Sequence, residues 1–277
     1  MSAGPKAVAV AAVAPRPAAT TLILRDGALG LEVLMVRRSL QASFMPGAYV
    51  FPGGAVDAAD GGPEALAALD EDAATLQRRI GAVTEVGAAA PAFAVGALRE
   101  CFEECGLWLG HDGPPDAQPP AGDWAALRAA LHGGATLGAL AAGAGLALAS
   151  SALQPWSHWV TPVGLPKRFD TLFFVCRAPA GQQPEVDAGE TTTLAWVHPP
   201  EALAAQAAGG FPMEFATVST VASLAPFAQR PLAELLAHAA ALPHLPPLHP
   251  RLQLDGEGRI RGVLLPDQAG YEQAFRG

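Results

Sequence analysis

In the string Arg99-Glu-Cys-Phe-Glu-Glu-Cys-Gly-Leu107, three carboxylates, Glu100, Glu103 and Glu104, stand at spacings of three and four. On a helix, at about 100° per residue, they fall within roughly one quadrant of the surface. Leu98, Phe102 and Cys105 fall on the opposite side with Val95 one turn earlier, and that side reads as a packing face. Like charges so spaced repel each other and weaken the helix, so a positive partner is expected to offset them. A hard divalent cation suits that role, because Mg²⁺ and Mn²⁺ prefer carboxylate and water oxygens. An isolated Glu-Glu pair is usually a solvated face; the surroundings favour a site here. Gly106 follows the acidic turn as a natural C-terminal stop. Upstream, Phe51-Pro52-Gly53-Gly54 is a loop signal after an apolar run.

The elements that must position these residues follow from periodicity. Residues 20–24 and 31–36 read as two strands joined as a hairpin through an Asp26-Gly27 turn. Residues 49–51 form a short third strand running into the glycines. Helical pieces are expected near 64–69 and 72–80, the acidic helix over 92–106, and further helices at 123–131, with Asp123 near its N-terminus, and near 135–142. Strands resume at 156–163, 171–177 and 192–197, followed by helices at 201–208, 215–224 and 231–241. No internal repeat and no clear linker appear. Residues 1–18 are expected to be a disordered tail and 19–277 one domain, with insertions at about 55–90 and 111–150.

Composition narrows the class. A chain of 277 residues, 51% hydrophobic and 16% charged, has enough apolar material for a substantial core. A net charge of −9 argues against general nucleic-acid or anionic-membrane binding. The apolar run at 7–14 is short for a secretory segment, and the Ala/Gly/Leu stretch at 135–149 is too short and glycine-broken to span a membrane. Three cysteines, an odd number, make no disulfide framework and point to a reduced cytoplasmic setting. Cys101 and Cys105 are four apart, but with no further ligand at a suggestive spacing they read as small buried hydrophobes rather than zinc ligands. His158 and His198, among apolar and proline neighbours, read as structural.

The acidic string resembles the Nudix box: a glycine, five residues, Glu, seven residues, then Arg-Glu-apolar-any-Glu-Glu-any-Gly-apolar. The second half matches at every defined position when Cys101 counts as apolar. The first half departs. Gly54 precedes Arg99 by 45 positions (99 − 54), which implies about 31 inserted residues relative to the ordinary box. The residue eight before Arg99 is Pro91 where the family has Glu, which leaves the loop-anchoring acid unassigned, with Glu85 as a substitute. Residues 34–54 resemble the Nudix branch that contains the peroxisomal coenzyme A diphosphatase of animals, which carries a similar insertion. Trp156-Ser-His-Trp-Val-Thr-Pro162, Arg168-Phe-Asp-Thr171 with Phe173-Phe174, and Gly262 to Asp267 are similar to further blocks of that branch. The C-terminal Phe275-Arg276-Gly277 is not a peroxisomal address of the Ser-Lys-Leu type.

The resemblance implies an α/β fold: a Nudix-type α/β/α sandwich with a mixed sheet, plus helical insertions and a C-terminal helical extension. It implies that Glu103 and Glu104 are primary ligands of Mg²⁺ or Mn²⁺, Glu100 a further ligand or a support behind the ligands, and Arg99 an orienting partner for the glutamates. Gly53 and Gly54 bring backbone close to metal or phosphate. For the general base, related enzymes use a box glutamate or a later carboxylate; Glu190 is the first late candidate and Asp187 the second. Arg37, Arg38, Lys167 and Arg168 are candidate phosphate contacts. The implied reaction is hydrolysis of coenzyme A or acyl-coenzyme A to 3′,5′-ADP and (acyl-)phosphopantetheine. The alternatives are a diphosphatase for ADP-ribose, NADH or dinucleoside polyphosphates, and a non-catalytic Nudix-fold binding protein, which the intact glutamates argue against. No membrane or nucleic-acid partner is implied. A homodimer is compatible with the family, though no stripe of residues identifies an interface.

Overall fold

Strand β1 (Arg16–Gly27) is buried on both faces over Thr21 to Leu24, as only a central strand covered on both sides can be. The computed structural model describes residues 13–41, 45–81, 89–109, 123–187 and 191–276. β1 turns back through Ala28-Leu29 into antiparallel β2 (Gly30–Arg38), the expected hairpin. On its other edge β1 runs parallel to β6 (Phe169–Arg177), in register from Arg16↔Phe169 to Leu24↔Arg177. β5 (Gln154–Val160) pairs antiparallel with β6, and β2 pairs with β3 (Tyr49–Val50) and β7 (Thr191–Val197). Two expectations change. β1 starts at Arg16, inside the segment expected as tail, because residues 16–18 find β6 as a partner. The glycines expected in a loop form a short strand, β4 (Gly53–Ala55), paired with Ala18 to Thr20 of β1.

This arrangement forks the sheet. β1 pairs with β2 through residues 24–27 but with β4 through residues 18–20, and Thr21 N–H donates to Pro52 O at 2.9 Å between the two regions. The fork opens beside the N-terminal half of β1.

Helices cover both faces. Ile23, Leu34, Val36 and Phe174 pack with α3 (Ala90–Cys105), and Leu22, Leu24, Leu31, Val33 and Met35 face the other layer, the period-two alternation of strands. That second layer holds α6 (Pro199–Ala207), α7 (Phe215–Leu224) and α8 (Leu232–Ala240). On the α3 side sit α1 (Pro63–Ala67), α2 (Ala73–Ile80), α4 (Trp124–His132) and α5 (Leu137–Ala144). Asp72, Asp123 and Thr136 cap α2, α4 and α5 by accepting from backbone N–H groups three residues on.

The two insertions form one module. Asp70 accepts from Ser150 Oγ at 3.0 Å and Ser151 N at 3.1 Å, Arg79 donates to Ser150 O at 2.8 Å and also to Leu153 O, and α1 lies so close to Gly138 that a Cβ there would come 2.4 Å from Ala65 N. After the expected C-terminal helices, the chain adds an unexpected antiparallel hairpin, β8 (Arg251–Leu254) and β9 (Ile260–Leu264). No described helix is long and apolar enough to cross a membrane.

Candidate active site

Helix α3 carries the acidic string. Pro91 sits in its first turn, where the missing N–H costs nothing. Gly106 ends it with φ 66°, a left-handed residue whose N–H donates to Phe102 O at 3.0 Å. Val95, Leu98, Cys101, Phe102 and Cys105 are buried in the core as the sequence pattern predicts, and all three cysteines are free thiols inside it. Burial pushes the Cys101 thiol up to about 12, so these are packing groups rather than metal-ligand thiolates.

Arg99 organises the polar face. Its Nε and Nη2 donate to the two oxygens of Asp60 at 3.0 and 3.1 Å, its Nη1 to Glu100 Oε1 at 2.9 Å and Glu103 Oε2 at 2.7 Å, and its Nη2 to Ala55 O at 2.7 Å. Arg99 is 8% exposed and Asp60 2%. Burial disfavours the Arg99 cation, but the Asp60 hydrogen bonds and the charges of Glu100, Asp60 and Glu103 outweigh it and hold the guanidinium protonated. Asp60 is further fixed by accepting from Asp57 N at 2.8 Å. Gly96, one turn before Arg99, leaves the space: a Cβ there would lie 3.1 Å from Asp60 Oδ2.

The glycines fit the same face. A Cβ on Gly54 would lie 2.4 Å from Glu100 Oε1, and one on Gly53 would lie 2.6 Å from Ala19 O and from Thr20 Oγ1. Gly53 N–H donates to Glu104 Oε2 at 3.1 Å. Burial raises the carboxyl of Glu100 to about 7 and also raises that of Glu103, each partly opposed by Arg99.

Glu100, Glu103 and Glu104 open onto a cleft of about 670 Å³ lined also by Gly53, Gly54 and Ala55. Its walls add the cations Arg16, Arg38 and Lys167, the pair His132 and Asp187, and an apolar surface from Met45, Val50, Phe51, Phe169 and Phe173. His132 Nε2 stands 3.8 Å from Asp187 Oδ1.

Residues 5–210 match the model of the NUDT19 Nudix domain. The chain belongs to the Nudix family. It is 33% identical over 221 residues to the acyl-coenzyme A diphosphatase NUDT19 of Gallus gallus, covering 64% of this chain and 56% of that protein. The Homo sapiens protein of the same name is 30% identical over 218 residues, covering 62% and 55%. The chain thus spans about half the length of these curated relatives. The crystal structure of a Nudix hydrolase from Alicyclobacillus acidocaldarius superposes with a TM-score of 0.65 at 30% identity, covering 84% of this chain and 99% of that one.

The Nudix box can now be completed. Its glutamate position, counted forward from Gly54, is Asp60 (54 + 6). The insertion therefore lies between Asp60 and Arg99, and counting backward from Arg99 to Pro91 missed it. Asp60, a shorter acid, makes a bidentate contact to Arg99. Glu85 lies outside the described residues, and so does Glu190.

Two of the expected phosphate contacts lie outside the cleft lining. Arg37 donates to Gly47 O at 3.2 Å and lies 5.6 Å from the centre of the Tyr49 ring. Arg168 donates to Thr161 O at 2.9 Å and Val13 O at 2.7 Å and lines a separate cavity of about 260 Å³. Neither lines the Nudix cleft. Lys167 and Arg38 do, and Arg16 joins them unforeseen, because it fell within the presumed tail. His158 is buried against Asp170 within the sheet and His198 is buried beside Leu31 O at 3.0 Å, so both are structural as read.

The donor set of the Nudix helix suits a hard divalent cation in kind, since it offers carboxylate oxygens and no thiolate or imidazole. The space matches: the Gly54 position, where a side chain would strike the Glu100 carboxylate, is left bare. Among the described residues no three His, Cys, Asp or Glu side chains are already gathered as a ligand cage. One oxygen each of Glu100 and Glu103 accepts from Arg99, and one of Glu104 from Gly53 N–H.

Proposed function

We propose that this protein is a Mg²⁺- or Mn²⁺-dependent diphosphatase that hydrolyses coenzyme A or acyl-coenzyme A to 3′,5′-ADP and (acyl-)phosphopantetheine. The observation that carries the reading is one cleft shared by three helix-borne glutamates, a bare glycine strand, three cations and an apolar wall. That combination suits a substrate with a diphosphate, a further phosphate and a long less polar arm. The similarity to the chicken and human acyl-coenzyme A diphosphatases supports the same substrate class.

Glu103, Glu104 and Glu100 are the residues that would hold the cation. When bound, it supplies charge neutralisation of the diphosphate and acidification of the attacking water. Arg99 takes no part in proton transfer; its contacts to Asp60, Ala55, Glu100 and Glu103 orient the acidic face. Water attacks one phosphorus while the bridging oxygen departs with the other phosphate, and Asp187, in the cleft wall, takes the water's proton. Arg16, Arg38 and Lys167 receive the substrate's anionic oxygens.

The test is turnover of the purified protein with Mg²⁺ or Mn²⁺ on coenzyme A, acetyl-coenzyme A, ADP-ribose, NADH and diadenosine polyphosphates, with products separated by chromatography. Release of 3′,5′-ADP from the coenzyme A compounds at the highest kcat/KM is the expected result. Preference for ADP-ribose or NADH would overturn the substrate and keep the site.

A further inference from the structure

The C-terminal end of a helix leaves its last carbonyls without intrahelical partners. In α3, Glu103 O receives two hydrogen bonds from one side chain of another element, Arg128 on α4: Nε at 2.9 Å and Nη2 at 2.7 Å. The third nitrogen, Nη1, reaches Val186 O at 3.5 Å. Gly106 leaves the passage open, since a Cβ there would lie 3.3 Å from Arg128 Nη1. The loop containing Val186 is tied to the same helix end by Glu185 N–H donating to Cys105 O at 2.8 Å. Just below, Gln182 and Trp108 exchange hydrogen bonds at 2.8 and 2.9 Å. One turn beyond Arg128 on α4, His132 faces Asp187 across 3.8 Å.

We propose that Arg128 is a positioning residue that locks the backbone of Glu103 to the loop carrying Asp187, making the helical insertion part of the catalytic apparatus. The proposal rests on the reading of Glu103 as a metal ligand. A guanidinium can clasp one carbonyl with two parallel donors and reach a second carbonyl with the third nitrogen; an ammonium offers a single point. A cation at a helix C-terminus also interacts favourably with the helix dipole, but that contribution is shared by lysine. The geometric and electrostatic roles therefore separate in Arg128→Lys.

The experiment compares the wild type with Arg128→Ala, Arg128→Lys and Glu103→Gln. Mn²⁺ binding is followed by the electron paramagnetic resonance signal of the free ion, and kcat and KM are measured on the best substrate of the panel. Circular dichroism establishes that each variant is folded. Arg128→Ala is expected to weaken Mn²⁺ binding and lower kcat by about tenfold or more, the scale seen when a group supporting a metal ligand is removed, with KM changed far less. Arg128→Lys is expected to recover only part of either loss. A folded Arg128→Ala with wild-type Mn²⁺ affinity and kcat overturns the proposal; if that variant does not fold, wild-type values in Arg128→Lys overturn it. Glu103→Gln separates the premise: if it binds Mn²⁺ and turns over as the wild type does, the reading of Glu103 as a metal ligand has failed, whatever Arg128 does.

Discussion

Asp60 and Arg99, 39 positions apart, meet through two parallel hydrogen bonds of 3.0 and 3.1 Å inside the protein. The contact closes the base of the first insertion, which leaves the chain after Asp60 and returns to it through α3. It also fixes Arg99, whose Nη1 donates to both Glu100 and Glu103. The family's split box thus remains continuous in space although it is interrupted in sequence.

Removing one partner of such a buried pair leaves the other charge uncompensated, at a cost of about 3–5 kcal/mol. Asp60→Ala is therefore expected to lower the urea-unfolding free energy by about that amount. Turnover is expected to fall by at least about tenfold, because Arg99 loses its anchor. Asp60→Glu, which restores the residue type of the ordinary box, is expected to keep most of both. A loss under about 1 kcal/mol in Asp60→Ala would mean that Ala55 O and the glutamates hold Arg99 unaided.

Gly54 is a test of close approach. A methyl group there would lie 2.4 Å from Glu100 Oε1, so Gly54→Ala has to push the carboxylate away or shift β4. The expected outcome is a drop in kcat of about tenfold or more, with far-ultraviolet circular dichroism unchanged, since Gly54 lies on a three-residue strand at the edge of the cleft. Wild-type turnover in Gly54→Ala would show that Glu100 moves freely and does not need its place beside the glycine.

What was legible in the sequence follows from which signals are local. The α3 pattern, the β1–β2 hairpin and the cap Asp123 are set by residues a few positions apart, and they stand close to where periodicity puts them, the hairpin turn falling at Ala28-Leu29 rather than Asp26-Gly27 and Asp72 capping α2 rather than starting it. The α/β/α layering followed from the resemblance to the Nudix family. Asp60 was legible too, six positions after Gly54, but only by counting forward from the glycine. The β8–β9 hairpin carried a usable signal in Asp255-Gly256: Asp255 accepts from Glu257 N and Arg259 N, each at 2.9 Å, and turns the chain. Arg16 and Arg128 had no such signal. Arg16 reaches the cleft only because β1 pairs with β6 from its first residue. Arg128 matters only because α4 packs across the end of α3, 25 residues away in sequence. The contacts of Arg37 and Arg168 carried no local signal either: their partners, Gly47 O and Val13 O, are set by the fold.

Burial raises the Glu100 carboxyl from the ordinary 4.5 to about 7. A group whose folded pKa lies above its unfolded value stabilises the fold below the unfolded pKa, and that contribution is lost as pH rises through the folded pKa. The metal-free protein is therefore expected to lose thermal stability between about pH 5 and pH 7.5. Metal binding requires the ionised carboxylate and so gains over the same interval. The rise in melting temperature on adding saturating MgCl₂ is accordingly expected to be larger at about pH 8 than at about pH 5.5. Glu100→Gln should flatten the pH dependence of the metal-free protein and shrink the metal-induced rise. Equal rises at both pH values in the wild type would remove Glu100 from the ligand set.

The four cations first considered divide into two classes that kinetics can tell apart. Lys167 lines the cleft with Arg16 and Arg38, whereas Arg37 and Arg168 are engaged with backbone carbonyls elsewhere. A hydrogen bond from a cation to a substrate phosphate is worth about 1.5–3 kcal/mol, so Arg16→Ala and Lys167→Ala are each expected to raise KM by about tenfold or more. Their kcat should change much less if they bind substrate and transition state alike. Because the cleft is open to solvent, the rise should diminish in high salt, where the wild-type advantage is screened. Arg37→Ala is expected to leave KM within about twofold, a difference small beside the tenfold step that 1.4 kcal/mol makes. Should Arg37→Ala raise KM as much as Lys167→Ala does, the substrate's anionic end must lie over Tyr49 rather than between β1 and β6, and the cleft assignment would have to be redrawn around β3.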